Sequence, residues 1–153
     1  MRTQRTSFLL AGLTALLMAI FVGEPVRYFL FSYGCGEAED RLSEAIARDP
    51  VLDTLPAGAG EGERYEECDD DDLFVSVGTE FPYDASRRSV LVHYRETARA
   101  NGWQPLPTGT DGSPPDCFSK RIGGTTAFLS VYGPDNGMAS VGITADHSGS
   151  NWC

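Results

Sequence analysis

Apolar residues are distributed along this chain in three ways. From Phe8 to Val22, fifteen residues carry no charge (FLLAGLTALLMAIFV). As a helix that run is about 22 Å long, short of a hydrocarbon core of about 30 Å. Continuing to Phe31 gives enough length but takes in Glu24, Pro25 and Arg27. The second pattern has helical spacing. Ala38, Leu42, Ala45 and Ile46 share one face between Glu37 and Arg48, and Asp49-Pro50 ends that helix because the residue before proline is pushed out of helical geometry. Val51, Leu52 and Leu55 follow, then a Pro56–Gly62 loop. The third pattern is alternation. Glu63–Cys68 predicts a short strand. Leu73, Val75, Val77, Thr79 and Phe81 then face one way, with Ser76 and Glu80 facing the other, as in a half-buried antiparallel strand.

Helical spacing returns after Pro82, where Asp84 or Ser86 caps a second helix running to about Ala100. Its inward face is Val90, Leu91, Tyr94 and Ala98, with Arg87, Arg88, Arg95 and Arg99 mostly outside. Asn101-Gly102 terminates it, and Trp103 folds back on its end. Residues 104–116, with four prolines, predict a loop. Cys117–Ile122 and Thr125–Tyr132 predict a hairpin about Gly123-Gly124. A second turn at Gly133–Gly137 leads to a final strand near Met138–Ala145. The order α-β-β-α-β-β-β predicts an α+β fold: an N-terminal transmembrane helix, then a small, mostly antiparallel sheet of about four to five strands with two helices packed on one face. Residues 1–34 would be a cytoplasmic stub and signal-anchor helix, and residues 35–153 an extracytoplasmic domain.

Charge sets the expected orientation. Arg2 and Arg5 precede the apolar run, while Glu37, Glu39 and Asp40 follow it. The positive-inside rule then places the C-terminal domain outside, in a single-pass protein held in the lipid bilayer through residues 8–31. A cleaved secretory signal is the alternative, although no A-x-A site follows the run closely. The one small-x-small pair, Ser32-Tyr33-Gly34, would also put a lipidated cysteine at Cys35. Residues 36–153 hold 21 Asp and Glu against nine Lys and Arg. That balance argues against nucleic acid and anionic lipid as partners of the domain, and no nucleic acid is expected. It suits a basic peptide or metal cations, but solubility alone accounts for it too.

None of the four cysteines, Cys35, Cys68, Cys117 and Cys153, stands in a C-x-x-C pair, so zinc and thioredoxin-like chemistry have no support. An even count outside the cytoplasm predicts two disulfides among three connectivities. Cys68–Cys117 is preferred because both fall at predicted strand ends; Cys35–Cys153 would then tie the two ends of the domain.

Candidate chemistry is sparse. Asp69–Asp72 lacks the alternation, central glycine and distal glutamate of a calcium loop and predicts a solvated turn. His93 and His147 are the two histidines, one beside the apolar stripe of the second helix and the other in the tail. No G-x-S-x-G, S-x-x-K or H-E-x-x-H motif accompanies them. Tyr65, Phe81, Tyr83, Tyr94, Trp103, Phe118, Phe128 and Tyr132 are spaced as core and hairpin residues. Arg87 and Arg88 open a helix whose dipole disfavours them. No catalytic residue, metal site or cofactor is expected.

A cysteine near an Asp run, a helix closing in Gly102-Trp103, a hairpin opening Cys117-Phe118-Ser119-Lys120 and a preference for Arg over Lys of eleven to one resemble short exported proteins of high-GC actinobacteria. The resemblance covers about residues 63–132. It implies a location and a fold but no reaction. The expected function is therefore a membrane-anchored extracytoplasmic protein with a binding or structural role at the cell envelope, its partner another envelope protein. The alternatives are a secreted or anchored hydrolase with an atypical site, and an accessory subunit whose Glu24 and Arg27 meet polar groups of a larger membrane protein.

Overall fold

Alternating side chains build the centre of the molecule. In β2 (Phe74–Pro82), Val75, Val77, Thr79 and Phe81 are buried on one side of the backbone. Its neighbour β6 (Met138–Asp146) buries Ala139, Val141, Ile143 and Ala145 on that same side. The register carries the row outward: Val77 lies opposite Ile143, Ile143 opposite Leu129 of β5 (Thr125–Asp135), and Leu129 opposite Phe118 of β4 (Cys117–Ile122). With β1 (Glu63–Cys68) and the two-residue β3 (Gln104–Pro105), these strands form a six-stranded antiparallel sheet in the order β1-β2-β6-β5-β4-β3. The computed structural model describes residue 26, residues 33–106 and residues 117–153. The chain divides into two compact units, Met1–Gly34 and Cys35–Cys153, and the sheet belongs to the second.

Two helices and a 3-10 turn cover the apolar face. α1 (Glu37–Ala47) contributes Leu42 and Ile46, the 3-10 turn (Pro50–Asp53) Val51 and Leu52, and α2 (Arg87–Ala100) Val90, Leu91, Tyr94 and Ala98 to a single core. Ser86 caps α2, its hydroxyl accepting from the Ser89 amide. Gly102, at φ +81°, ends the helix, and the Trp103 amide turns back to donate to the Ala98 carbonyl at 2.9 Å. Trp103 is fully buried.

The fold expectation needs correction in several places. The sheet has six strands, not four or five, and the described domain is mostly sheet. The added strand, β3, falls where prolines predicted a loop; Pro105 has no amide to donate, but an edge strand tolerates that. Among the described residues no helix is long and apolar enough to cross a membrane. The expected transmembrane helix lies outside the described residues apart from Val26. Leu73 was expected on the inward face of β2. It sits instead in the preceding turn at φ 52° and is 41 % exposed. The buried face of α1 is also rotated, to Glu39, Leu42, Ser43 and Ile46, and leaves Ala38 outside. Both inward polar groups are satisfied. Glu39 accepts from the Gly36 amide at 2.9 Å, and Ser43 donates to Glu66 of β1 at 2.5 Å.

One charge is built into the core. Asp49, 5 % exposed, accepts from the Val51 amide at 3.1 Å and from the Trp103 indole at 3.4 Å. Its second oxygen meets Lys120 Nζ at 2.7 Å, and that ammonium stands 5.6 Å above the Trp103 ring. The network ties the end of α1, the end of α2 and strand β4 together.

Candidate functional site

Both helices pack on one side, so among the described residues the other face of the sheet carries no helix. The register places its residues in rows. Tyr65, Gly78, Gly142, Ser130 and Cys117 form one; Glu67, Ser76, Thr144, Phe128 and Ser119 a second; Glu63, Glu80, Ser140 and Tyr132 a third. Gly78 and Gly142 are adjacent on neighbouring strands, so the middle of the face has no side chains of its own. The Tyr65 ring lies across that trough. A methyl group added at Gly78 would overlap its ring and hydroxyl, and one added at Gly142 would overlap the hydroxyl. Burial raises the Tyr65 pKa above the usual phenol range. A hydrogen bond with Ser76 opposes the rise, and the negative charges of Glu80 and Glu67 add to it. Around the ring stand the hydroxyls of Ser76 and Thr144, 3.3 Å apart, and those of Ser130 and Ser140. Tyr132, 58 % exposed, and Met138, 44 % exposed, lie at one end.

The C-terminal tail closes the opposite end. Asp146 is buried, and its carboxylate accepts from the amides of Gly149 at 2.5 Å and Ser150 at 3.1 Å and from the Trp152 indole at 3.1 Å. Burial alone would raise its pKa. Hydrogen bonds from Ser150, Ser148 and Gly149 outweigh that and lower it to about 2. Trp152 packs on Phe74, with ring centroids 4.5 Å apart. The next residue, Cys153, is bridged to Cys117 on β4, in the row that also holds Tyr65, and Phe128 of the adjacent row is 7 % exposed.

All four cysteines are bridged, in the pairs Cys35–Cys68 and Cys117–Cys153, with Cα separations of 6.3 and 6.1 Å. Two disulfides fit an extracytoplasmic protein. The preferred pairing, Cys68–Cys117 with Cys35–Cys153, is therefore corrected, and strand order supplies the reason. Cys68 is on β1 and Cys117 on β4, with β2, β6 and β5 between them. Four interstrand steps of about 4.8 Å put them roughly 19 Å apart, far beyond the ~7 Å limit for a disulfide. They also face opposite sides: Cys68 points with Val75 toward α1, and Cys117 points with Ser130 outward.

The acidic run is a turn between β1 and β2, and the carboxylates of Asp69 and Asp70 serve the backbone. Asp69 accepts from the amides of Asp71 and Asp72 at 2.9 and 2.8 Å, and Asp70 from the amide of Cys35 at 3.0 Å. No group of three or more His, Cys, Asp or Glu among the described residues is arranged to hold a metal ion. The histidines lie apart. His93 Nε2 contacts the Thr54 carbonyl at 3.1 Å, and His147 stands 3.9 Å from Glu39. His93 lines an open cleft of about 550 Å3 with Tyr83, Ser86, Arg88, Ser89 and Glu96. There Tyr83 donates to Ser89 at 3.0 Å, and Ser89 donates to the Ser86 carbonyl at 2.6 Å. Those hydroxyls continue the helix cap, and the imidazole engages a backbone carbonyl. The cleft therefore shows no nucleophile paired with a base.

Sequence reading missed the outer face because its main signal is two glycines in strands, which acquire meaning only once β2 and β6 are neighbours. Tyr65, flanked by charged residues in an otherwise polar strand, was the available clue. No protein-family model, no curated protein and no solved structure matches this chain.

Proposed function

We propose that the chain is an exported binding module, directed out of the cytoplasm by its apolar N-terminal segment Phe8–Val22, and that it engages its partner through the helix-free face of its sheet. The observation that carries this reading is the Tyr65 ring laid over Gly78 and Gly142 and bordered by hydroxyls and carboxylates. Such a face offers an aromatic surface with hydrogen-bonding groups on a rigid sheet, the combination that recognition surfaces use. Binding rather than catalysis is supported by the way His93 and the nearby serines are spent on backbone contacts.

The test is titration of the disulfide-intact full chain with a panel of extracytoplasmic chemistries: a basic peptide, an acidic peptide and a neutral oligosaccharide. Saturable binding of at least one is expected. It should be lost in Ser130→Arg or Ser140→Arg, which fill the outer face, and kept in Glu44→Arg on α1. Binding that is indifferent to the outer-face substitutions, or none at all, would sink the proposal.

A further inference from the structure

The outer face and the free edge of β1 meet, and resting on the reading above, we infer that the partner is an extended basic segment with Arg or Lys at alternate positions, added alongside β1. Among the described residues β1 pairs with β2 alone, so one side of its backbone offers its amides and carbonyls to another strand. A segment pairing there would extend the sheet by one strand, and every second side chain would point to the outer face.

The side chains it would meet are Glu63, Tyr65 and Glu67. These three alternate outward along β1, so the two carboxylates stand about 13 Å apart with the ring midway. Glu80 lies directly opposite Glu63 on β2 and adds a second negative charge in that row. Like charges facing each other across a ladder destabilise it, and a cation between or beside them removes that cost. Arg fits best: its guanidinium pairs with a carboxylate through two hydrogen bonds and stacks on a tyrosine face. Among the described strand residues the outer face carries one basic group, Arg121, at the far side on β4 and turned to the Gly124 carbonyl. The edge is therefore uniformly acidic in the direction it faces outward. That same pattern disfavours a second copy of the chain, because β1 against β1 would set glutamates against glutamates.

The experiment uses the full chain with both disulfides formed and fluorescently labelled octapeptides, read by anisotropy. The probes are (Arg-Thr)4, (Glu-Thr)4, the blocked isomer Arg4Thr4 and (Arg-Pro)4, which lacks every second amide. Saturable binding of (Arg-Thr)4 is expected, with weaker binding of the blocked and proline peptides and none of the acidic one. E63Q/E67Q/E80Q should weaken (Arg-Thr)4 about tenfold, the sum of three partly exposed charge pairs of modest strength. The matched control E37Q/E44Q/E96Q, on the helices, should bind as the parent does. Equal binding of all arginine peptides, or equal loss in the control, would overturn the inference by reducing it to diffuse attraction. If a neutral oligosaccharide binds instead and is blocked by Ser130→Arg, the outer face is the binding surface but the basic segment is wrong. If no probe is sensitive to outer-face substitutions, both readings fall. A dimer dispersed by E63K/E67K would replace the basic segment with a second copy.

Discussion

Two carboxylates do opposite work in this domain, and each can be tested at a single residue. Asp49 holds a charge inside the core by meeting Lys120, Trp103 and the Val51 amide together. Removing the lysine alone strands that charge, so Lys120→Met should cost about 3 kcal/mol in urea unfolding. The double variant D49N/K120M should lose less, because no unpaired charge is left behind. Asp146 instead fastens the tail. Its folded pKa, about 2, lies below the usual ~3.9 of an unfolded aspartate. The stability it contributes is therefore complete above about pH 4 and disappears as pH falls through about 2. A change in Trp152 emission over that window, absent both in Trp152→Phe and in Asp146→Asn, is the expected sign. An indole signal unaltered down to pH 2 would show that the carboxylate does not hold the tail.

Strands with clean alternation were legible, and short or polar elements less so. The Val75–Phe81 pattern gave β2 its inward face because three apolar residues and one threonine share it. The inward set of α2 was equally readable: Val90, Leu91, Tyr94 and Ala98 are all buried. In α1 the two buried polar residues, Glu39 and Ser43, misled the periodicity, since their partners come from the Gly36 amide and from β1. β3 has two residues and no pattern to read. The trough on the outer face was hidden for another reason: glycine normally weakens a strand, and here two of them make room for a ring. Gly78→Ala should accordingly destabilise the protein by roughly 1–3 kcal/mol, the usual cost of overpacking, although alanine is the better strand residue. Combining it with Tyr65→Ser should restore part of the loss in thermal unfolding. A Gly78→Ala protein as stable as its parent would mean that the ring does not depend on the trough.

Disulfide connectivity belongs to the whole molecule, and for that reason local sequence misled. Strand ends near Cys68 and Cys117 suggested a bridge, but their positions on β1 and β4 exclude it. Peptide mapping without reduction should recover Cys35–Cys68 and Cys117–Cys153. Each closes a loop of similar length, with sequence separations of 33 and 36. In the chain-entropy account each is worth about 4 kcal/mol. C35S/C68S and C117S/C153S should thus lower stability by comparable amounts, the second also loosening Trp152 from Phe74. Recovery of a Cys68–Cys117 peptide would contradict the strand order itself.

The pairing of β2 with β6 also bears on how such a chain leaves the cytoplasm. Phe74 lies opposite Asp146, and Pro82 opposite Met138, so the second strand waits for the sixth across more than fifty intervening residues. Non-local pairing of this kind is slow, because a long loop must close before any contact rewards it. During synthesis the β1–β2 hairpin emerges early with no partner for its central edge, and two strands alone are marginal in water. On the export route proposed above, the chain would stay unfolded until β6 has followed, and the sheet would assemble where the cysteines can oxidise.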